Sequence, residues 1–156
     1  MMNPLRYVKA LLGFGDVEAF WQARNEILKE AGKHRYAHIL CKVIRKHYGA
    51  GIPVLPDINR FITPHGFYGI FISQRAKIGE GCTIFQQVTI GSNELQFGGA
   101  PTIGNNCLIG AGAKIIGKVH IGNNVRIGAN AIVVDDVPDN CTVVMNKPRV
   151  IVRHMD

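Results

Sequence analysis

The sequence predicts a β-solenoid, a three-sided coil of short parallel strands entered through a short α-helical segment. Three observations predict it. Branched apolar residues recur at every sixth position: Ile72, Ile78, Ile84 and Ile90, then, after a gap, Ile103, Ile109, Ile115, Ile121, Ile127 and Val133. Four residues after each stands a small or β-branched residue: Ala76, Cys82, Val88, Cys107, Ala113, Val119, Val125, Ala131 and Val137. Glu94, where the gap begins, alone breaks that rule. Gly81, Asn93, Asn106, Gly112, Asn124, Asn130 and Asp136 each lie three residues after a repeat apolar. A period of six fits neither a helix nor a simple strand. It fits a short strand plus a corner, with three such units to a coil and each coil stacked on the one before. The isoleucine and the small residue point inward. The corner needs residues that enter the left-handed backbone region with least strain, which are glycine, asparagine and aspartate.

The elements follow in order. Residues 1–50 read as an α-helical segment, residues 51–147 as the coiled domain with a projecting loop at 93–100, and residues 148–156 as a tail. Asp16 is placed to N-cap a first helix over "VEAFWQARNEILKE", whose Val17, Phe20, Trp21, Ile27 and Leu28 share one face. A second helix is predicted over "HRYAHILCKVIRKHY", with Tyr36, Leu40, Val43 and His47 on its apolar stripe and Gly49 as its stop. Together they form an amphipathic pair that packs on something larger.

The 156 residues suffice for one domain with a real core, and the net charge is +7. That charge is uneven: residues 1–50 hold nine Lys/Arg against four Asp/Glu, residues 51–156 nine against seven. Charge alone does not make a nucleic-acid binder, and no motif supports one. Four cysteines are scattered without a CxxC pair, which argues against a zinc knuckle or a disulfide framework and fits reduced thiols in a cytoplasm. Cys82 and Cys107 fall at the small inward position and read as packing residues. The apolar patch at the start is too short and too interrupted for a signal or a membrane span. Neither a membrane nor a nucleic acid is expected as partner.

The three edges of the coil differ in chemistry. After Ile78, Ile103 and Ile121 the corners read "GEG", "GNN" and "GNN", plain solvent turns. After Ile90 comes "GSNELQFGGAPT", seven residues too long for a corner, so a Gly-rich loop projects there. After Ile84, Ile109 and Ile127 the corners read "FQQ", "GAG" and "GAN". There Gln86, Ala111 and Ala129 stack one coil apart. Side chains as small as alanine make either a tight turn or a ridge whose backbone a long, thin ligand can reach.

The repeat, the loop and the segment "PTIGNNCLIGAGAKIIGKVHIGNNVRIGANAIVVDDVP" resemble the hexapeptide-repeat acyltransferases, most closely their serine acetyltransferase-like branch, over about residues 51 to 152. The resemblance implies a left-handed parallel β-helix, although parallel crossovers are ordinarily right-handed. It also implies a homotrimer with active sites between subunits, and transfer of acetyl from acetyl-CoA to the hydroxyl of a small acceptor, serine or a sugar. In that family the coenzyme lies along a prism edge against alanine backbone, which carries over to Ala111, Ala113 and Ala129, with Gln86 one coil below. The family's base is a histidine just before an "xGI" strand, and "PHGFYGIFIS" supplies His65. An imidazole suits the task because its pKa lies near neutral.

Four departures accompany the resemblance. Gly51 stands where the family has an aspartate that orients the base, leaving Asp57 as substitute. Ala100 stands where the loop has a histidine. The large N-terminal helical domain is reduced to two short helices. The closing motif reads "MNKPRV", which keeps Lys147 and Arg149 for coenzyme phosphates. These changes bear on the acceptor more than on the chemistry. Two rival readings fit less well. A zinc enzyme on this fold needs three converging histidines, and the repeat after His65 offers only His120, so no metal is expected. A structural or ice-binding solenoid needs ranks of threonine, and Thr83, Thr89 and Thr102 are too few.

Overall fold

The computed structural model describes residues 17–29, 34–93, 98–147 and 149–151. Helix α1 spans Val17–Lys29 and α2 spans His34–Tyr48. The cap predicted at Asp16 lies outside the described residues, as do 94–97 of the projecting loop. Eleven strands of two or three residues follow, β1 (Phe71–Ile72), β2 (Lys77–Ile78), β3 (Thr83–Ile84), β4 (Thr89–Gly91), β5 (Thr102–Ile103), β6 (Leu108–Ile109), β7 (Lys114–Ile116), β8 (His120–Ile121), β9 (Arg126–Ile127), β10 (Ile132–Val133) and β11 (Thr142–Val143). No described helix is long and apolar enough to cross a membrane.

All pairing is parallel, and it builds three walls in the orders β1-β4-β7-β10, β3-β6-β9-β11 and β2-β5-β8. Register sets repeat residue upon repeat residue: Ile72 on Ile90 on Ile115 on Val133, Ile84 on Ile109 on Ile127, and Ile78 on Ile103 on Ile121. Ile103 pairs with Ile121, 18 positions on, whereas Ile78 pairs with Ile103, 25 positions on. The seven extra residues are the projecting loop. Isolated bridges Gly51↔Phe71, Ile58↔Ile78 and Ile62↔Thr83 lay a coil beneath the first strands, and Ile121↔Val137 continues the stack above β8.

Every repeat apolar residue and every small residue four positions on is buried. The outward member of each strand alternates with them. Of the seven predicted corner residues, five take the left-handed conformation: Gly81, Asn106, Gly112, Asn124 and Asn130, with φ from 55° to 72°. Gln87 (φ 61°) does so as well. Asn93 and Asp136 were expected to join them and do not. Their edge turns differently, with Gly117 (φ 97°) taking the positive angle one position earlier than the other two edges do.

The helices close the lower end of the prism. Phe20 and Trp21 of α1 meet Phe67 and Phe61 of the first coil edge to face, with ring centroids 5.0 Å apart in both pairs. Arg24, buried in the same helix, donates to the carbonyls of Leu55 (2.6 Å) and Ile58 and lies over the Trp21 ring. Burial lowers its pKa. On α2 the buried stripe is Leu40, Val43, Ile44 and Tyr48, with Tyr36 partly buried. His47 is exposed, correcting the predicted stripe: the buried positions near it are Val43, Ile44 and Tyr48. Gly49 (φ 57°) ends the helix as expected, its N–H donating to the Arg45 carbonyl at 3.0 Å.

Candidate active site

The edge after Ile84, Ile109 and Ile127 is continuous from the first coil upward. Gln87 N–H donates to the Tyr68 carbonyl (2.8 Å), Gly112 N–H to Gln86 (3.0 Å) and Asn130 N–H to Ala111 (2.8 Å). These bonds stack the corner 64–69, which carries His65, directly under Phe85–Gln87, then Ala111, then Ala129. Residues separated by more than sixty positions thus share one ridge. His65 is exposed, its ring 5.9 Å from that of Phe85. Its corner is held by Gly66 (φ 74°), whose N–H donates to Thr63 (3.3 Å) and whose carbonyl accepts the Thr63 hydroxyl.

The edges differ in which backbone donors they leave open. After Ile78, Ile103 and Ile121, each second corner residue is capped by the side chain above it. Asn105 Oδ1 accepts from Glu80 N–H (2.8 Å), Asn123 Oδ1 from Asn105 N–H (2.9 Å), and Asp139 Oδ1 from Asn123 N–H (2.8 Å). Expected as plain solvent turns, these corners form a side-chain ladder. On the His65 edge the corresponding residues are Gln86, Ala111 and Ala129. Alanine carries no oxygen to cap the coil below, so the N–H groups of Gln86 and Ala111 have no acceptor among the described residues. The Gln86 Oε1 is buried without a partner among the described residues. Such unsatisfied donors and acceptors on one ridge are what a ligand rich in amides and carbonyls would satisfy.

The remaining predicted residues divide. Ala129 is exposed and Ala111 half-buried, both on the ridge. Ala113 is not available: its side chain is fully buried, its N–H donates to Gly110 (3.2 Å) and its carbonyl accepts from Thr89 (2.9 Å). It occupies the small inward position of the repeat. Lys147 and Arg149 are exposed and follow β11, whose Val143 carbonyl accepts from Gly128 N–H (2.8 Å), so they emerge beyond the top of this edge. Asp57 is not brought to His65. Its neighbour Ile58 pairs with Ile78 on another wall, and its carboxylate faces Lys77 at 4.0 Å. A Cβ at Gly51 would lie 3.0 Å from the ring of the exposed Phe71, which would have to give by a few tenths of an ångström to admit an aspartate. Lys114 was missed. Its ammonium bridges the carbonyls of Gln87 (2.8 Å) and Gly112 (2.9 Å), binding two coils together beside the ridge. Its outward place beside "GAG" was the only sequence signal.

Cys82 and Cys107 are buried on adjacent coils, their thiols directed at the carbonyls of Gly104 (3.2 Å) and Gly122 (3.1 Å). The neighbouring Cys107 and burial push the Cys82 thiol well above its usual value, which suits packing and not nucleophilic attack.

Residues 100–135 match the family model described as bacterial transferase hexapeptide (six repeats). The chain is 32% identical over 154 residues to a serine acetyltransferase of Bacillus pumilus, covering 95% of this chain and 69% of that one. It is 37% identical over 113 residues to a putative colanic acid biosynthesis acetyltransferase, WcaB, of Escherichia coli, covering 72% of this chain and 70% of the relative. Among solved structures it superimposes on serine acetyltransferase isoform 3 of Entamoeba histolytica, in complex with cysteine, with a TM-score of 0.72 and 30% identity. That match covers 87% of this chain and 49% of the Entamoeba chain. A serine acetyltransferase in complex with CoA gives a TM-score of 0.66 at 26% identity, over 80% and 50% of the two chains. This chain therefore spans about two-thirds of the Bacillus relative and about half of each solved structure. It belongs to the hexapeptide-repeat acyltransferases, in their serine acetyltransferase-like branch, and its coil is their left-handed parallel β-helix.

Proposed function

We propose that the protein is an acetyl-CoA-dependent O-acetyltransferase that acylates the hydroxyl of a small acceptor, serine by the reading its relatives favour. The observation that carries this is the single ridge that stacks an exposed imidazole, His65, beneath the open backbone donors at Gln86 and Ala111 and the bare corner at Ala129. Those residues suit the pantetheine arm, with Lys147 and Arg149 beyond the top of the edge for phosphates. Acetyl-CoA supplies the activated acyl group. His65 takes the acceptor hydroxyl's proton as that oxygen bonds to the acyl carbon, then returns a proton to the departing thiolate. Within one chain Asp57 lies on another wall and does not orient this base. The protein works in the cytoplasm as a homotrimer, with the projecting loop around 93–100 shaping the acceptor pocket.

A sugar acceptor is the second reading. Gly51 and Ala100 remove two groups that the serine-acetylating pattern carries, and the WcaB relative is matched over most of its length. Thiol release from acetyl-CoA, measured against L-serine and a panel of sugars, separates the two. Release stimulated by serine alone supports the first reading, and release stimulated by a sugar supports the second. No acceptor-dependent release from any of them contradicts both.

A further inference from the structure

More than half of the net charge sits on one helix. The chain carries +7, and α2 holds Arg35, Lys42, Arg45 and Lys46 with no carboxylate, a net of +4 over 15 residues. One side of α2 is packed into the core through Leu40, Val43, Ile44 and Tyr48. The other side exposes His38, Ile39, Lys42, Arg45 and Lys46. At 3.6 residues per turn, His38, Lys42, Arg45 and Lys46 fall within an arc of about 100°. Ion pairs elsewhere join Lys29 to Glu26, Arg60 to Glu18 and Lys77 to Asp57, but among the described residues no carboxylate pairs with Lys42, Arg45 or Lys46. Like charges a turn apart repel and weaken a helix. A surface of opposite charge would relieve that repulsion.

We infer that this face of α2 docks the protein on an anionic lipid bilayer. The helix lies against the coil along its buried stripe, so it offers a shallow arc and not a free cylinder. The arc carries Lys42, Arg45 and Lys46 with no Asn or Gln anywhere on the helix, a set that neutralises negative charge more than it reads base edges. A planar and laterally uniform negative surface demands neither depth nor register. Ile39, 42% exposed at the margin of the arc, places an apolar side chain at headgroup level. The expectation of no membrane partner came from the absence of a span, and surface docking needs none. Docking is separate from acyl transfer, because no residue of the arc belongs to the His65 ridge.

The test is co-sedimentation of the full chain with vesicles of phosphatidylcholine alone and of phosphatidylcholine with about 30% phosphatidylglycerol. Binding to the anionic vesicles only, lost in about 0.5 M NaCl, is expected. The variant Lys42→Glu/Arg45→Glu/Lys46→Glu should reduce partition by about a hundredfold, with an unchanged melting midpoint to show that it is folded. If the reversal melts the protein, Lys42→Gln/Lys46→Gln reads the same quantity with a loss of about tenfold. Equal binding to neutral vesicles, charge variants that bind like the parent, or no vesicle binding at all (whether or not a DNA duplex is bound instead) would each overturn the inference.

Discussion

Ala129 and Asn123 occupy equivalent corner positions on two edges of the same prism. Asn123 places its Oδ1 over the Asn105 N–H and closes it, while Ala129 leaves the Ala111 N–H open. The difference between the capped edge and the proposed binding edge is therefore one side-chain oxygen per coil. Replacing Ala129 with Asn should build the missing cap. We expect Ala129→Asn to keep the melting midpoint of the parent and to weaken CoA affinity, measured by calorimetry, by about tenfold, the worth of one hydrogen bond. Ala111→Trp tests the same ridge by bulk, and unchanged CoA affinity in both variants would remove the ridge from consideration. At this scale the sequence was partly legible. Ala111 and Ala129 could be placed by counting in sixes, but Ala113 could not be told from them by residue type. Its burial follows from phase: it falls four residues after Ile109, at the inward position. Asp57 could not be judged either, because residues 51–70 lack the repeat and only the pairing of Ile58 with Ile78 shows which wall it faces.

Among the elements, the asparagine edge ends on a carboxylate. Asp139 accepts from the backbone and side chain of Asn123 (2.8 and 3.3 Å), and these bonds hold its pKa below the ordinary carboxylate value. A carboxylate whose folded pKa is depressed stabilises the fold in full above its unfolded value of about 3.9, and that contribution is lost as pH falls through the folded value. Asp139→Asn keeps an Oδ1 for the Asn123 N–H but cannot titrate. Unfolding followed by circular dichroism should thus give a parent-minus-variant stability difference that is flat above about pH 5 and declines toward about pH 2. A difference that stays constant through acid would contradict this role. The corner chemistry of this edge was read correctly as left-handed turns, since Gly and Asn report backbone strain locally. Its ladder was not read, because side-chain capping between coils depends on partners 16 to 25 positions away. For the same reason α2 was bounded correctly by Gly49, a local signal, while the exposure of His47 depends on where the first coil lies.

For the whole molecule, the six-residue period carried almost all of the architecture. Parallel stacking brings like residues together at every level, so one repeat specifies three walls, a core and the seven-residue excess of the loop. The assembly is a different matter, since it depends on outward residues that the repeat leaves unconstrained. Phe71, Leu108 and Ile132 are exposed apolar residues at outward strand positions, consistent with walls that meet other copies. Light scattering coupled to size exclusion should report three times the chain mass of 17.1 kDa. A monomer would remove the proposed sites between subunits.

His65, at the foot of the open ridge, is the proposed base for acyl transfer. The direct measurement is the turnover of His65→Ala with acetyl-CoA and whichever acceptor the parent enzyme uses, alongside its affinity for CoA. Turnover should fall by about 10²–10⁴-fold while CoA affinity stays near that of the parent, because the base acts on the acceptor and not on the pantetheine arm. Turnover at the parent rate would rule out His65 as that base.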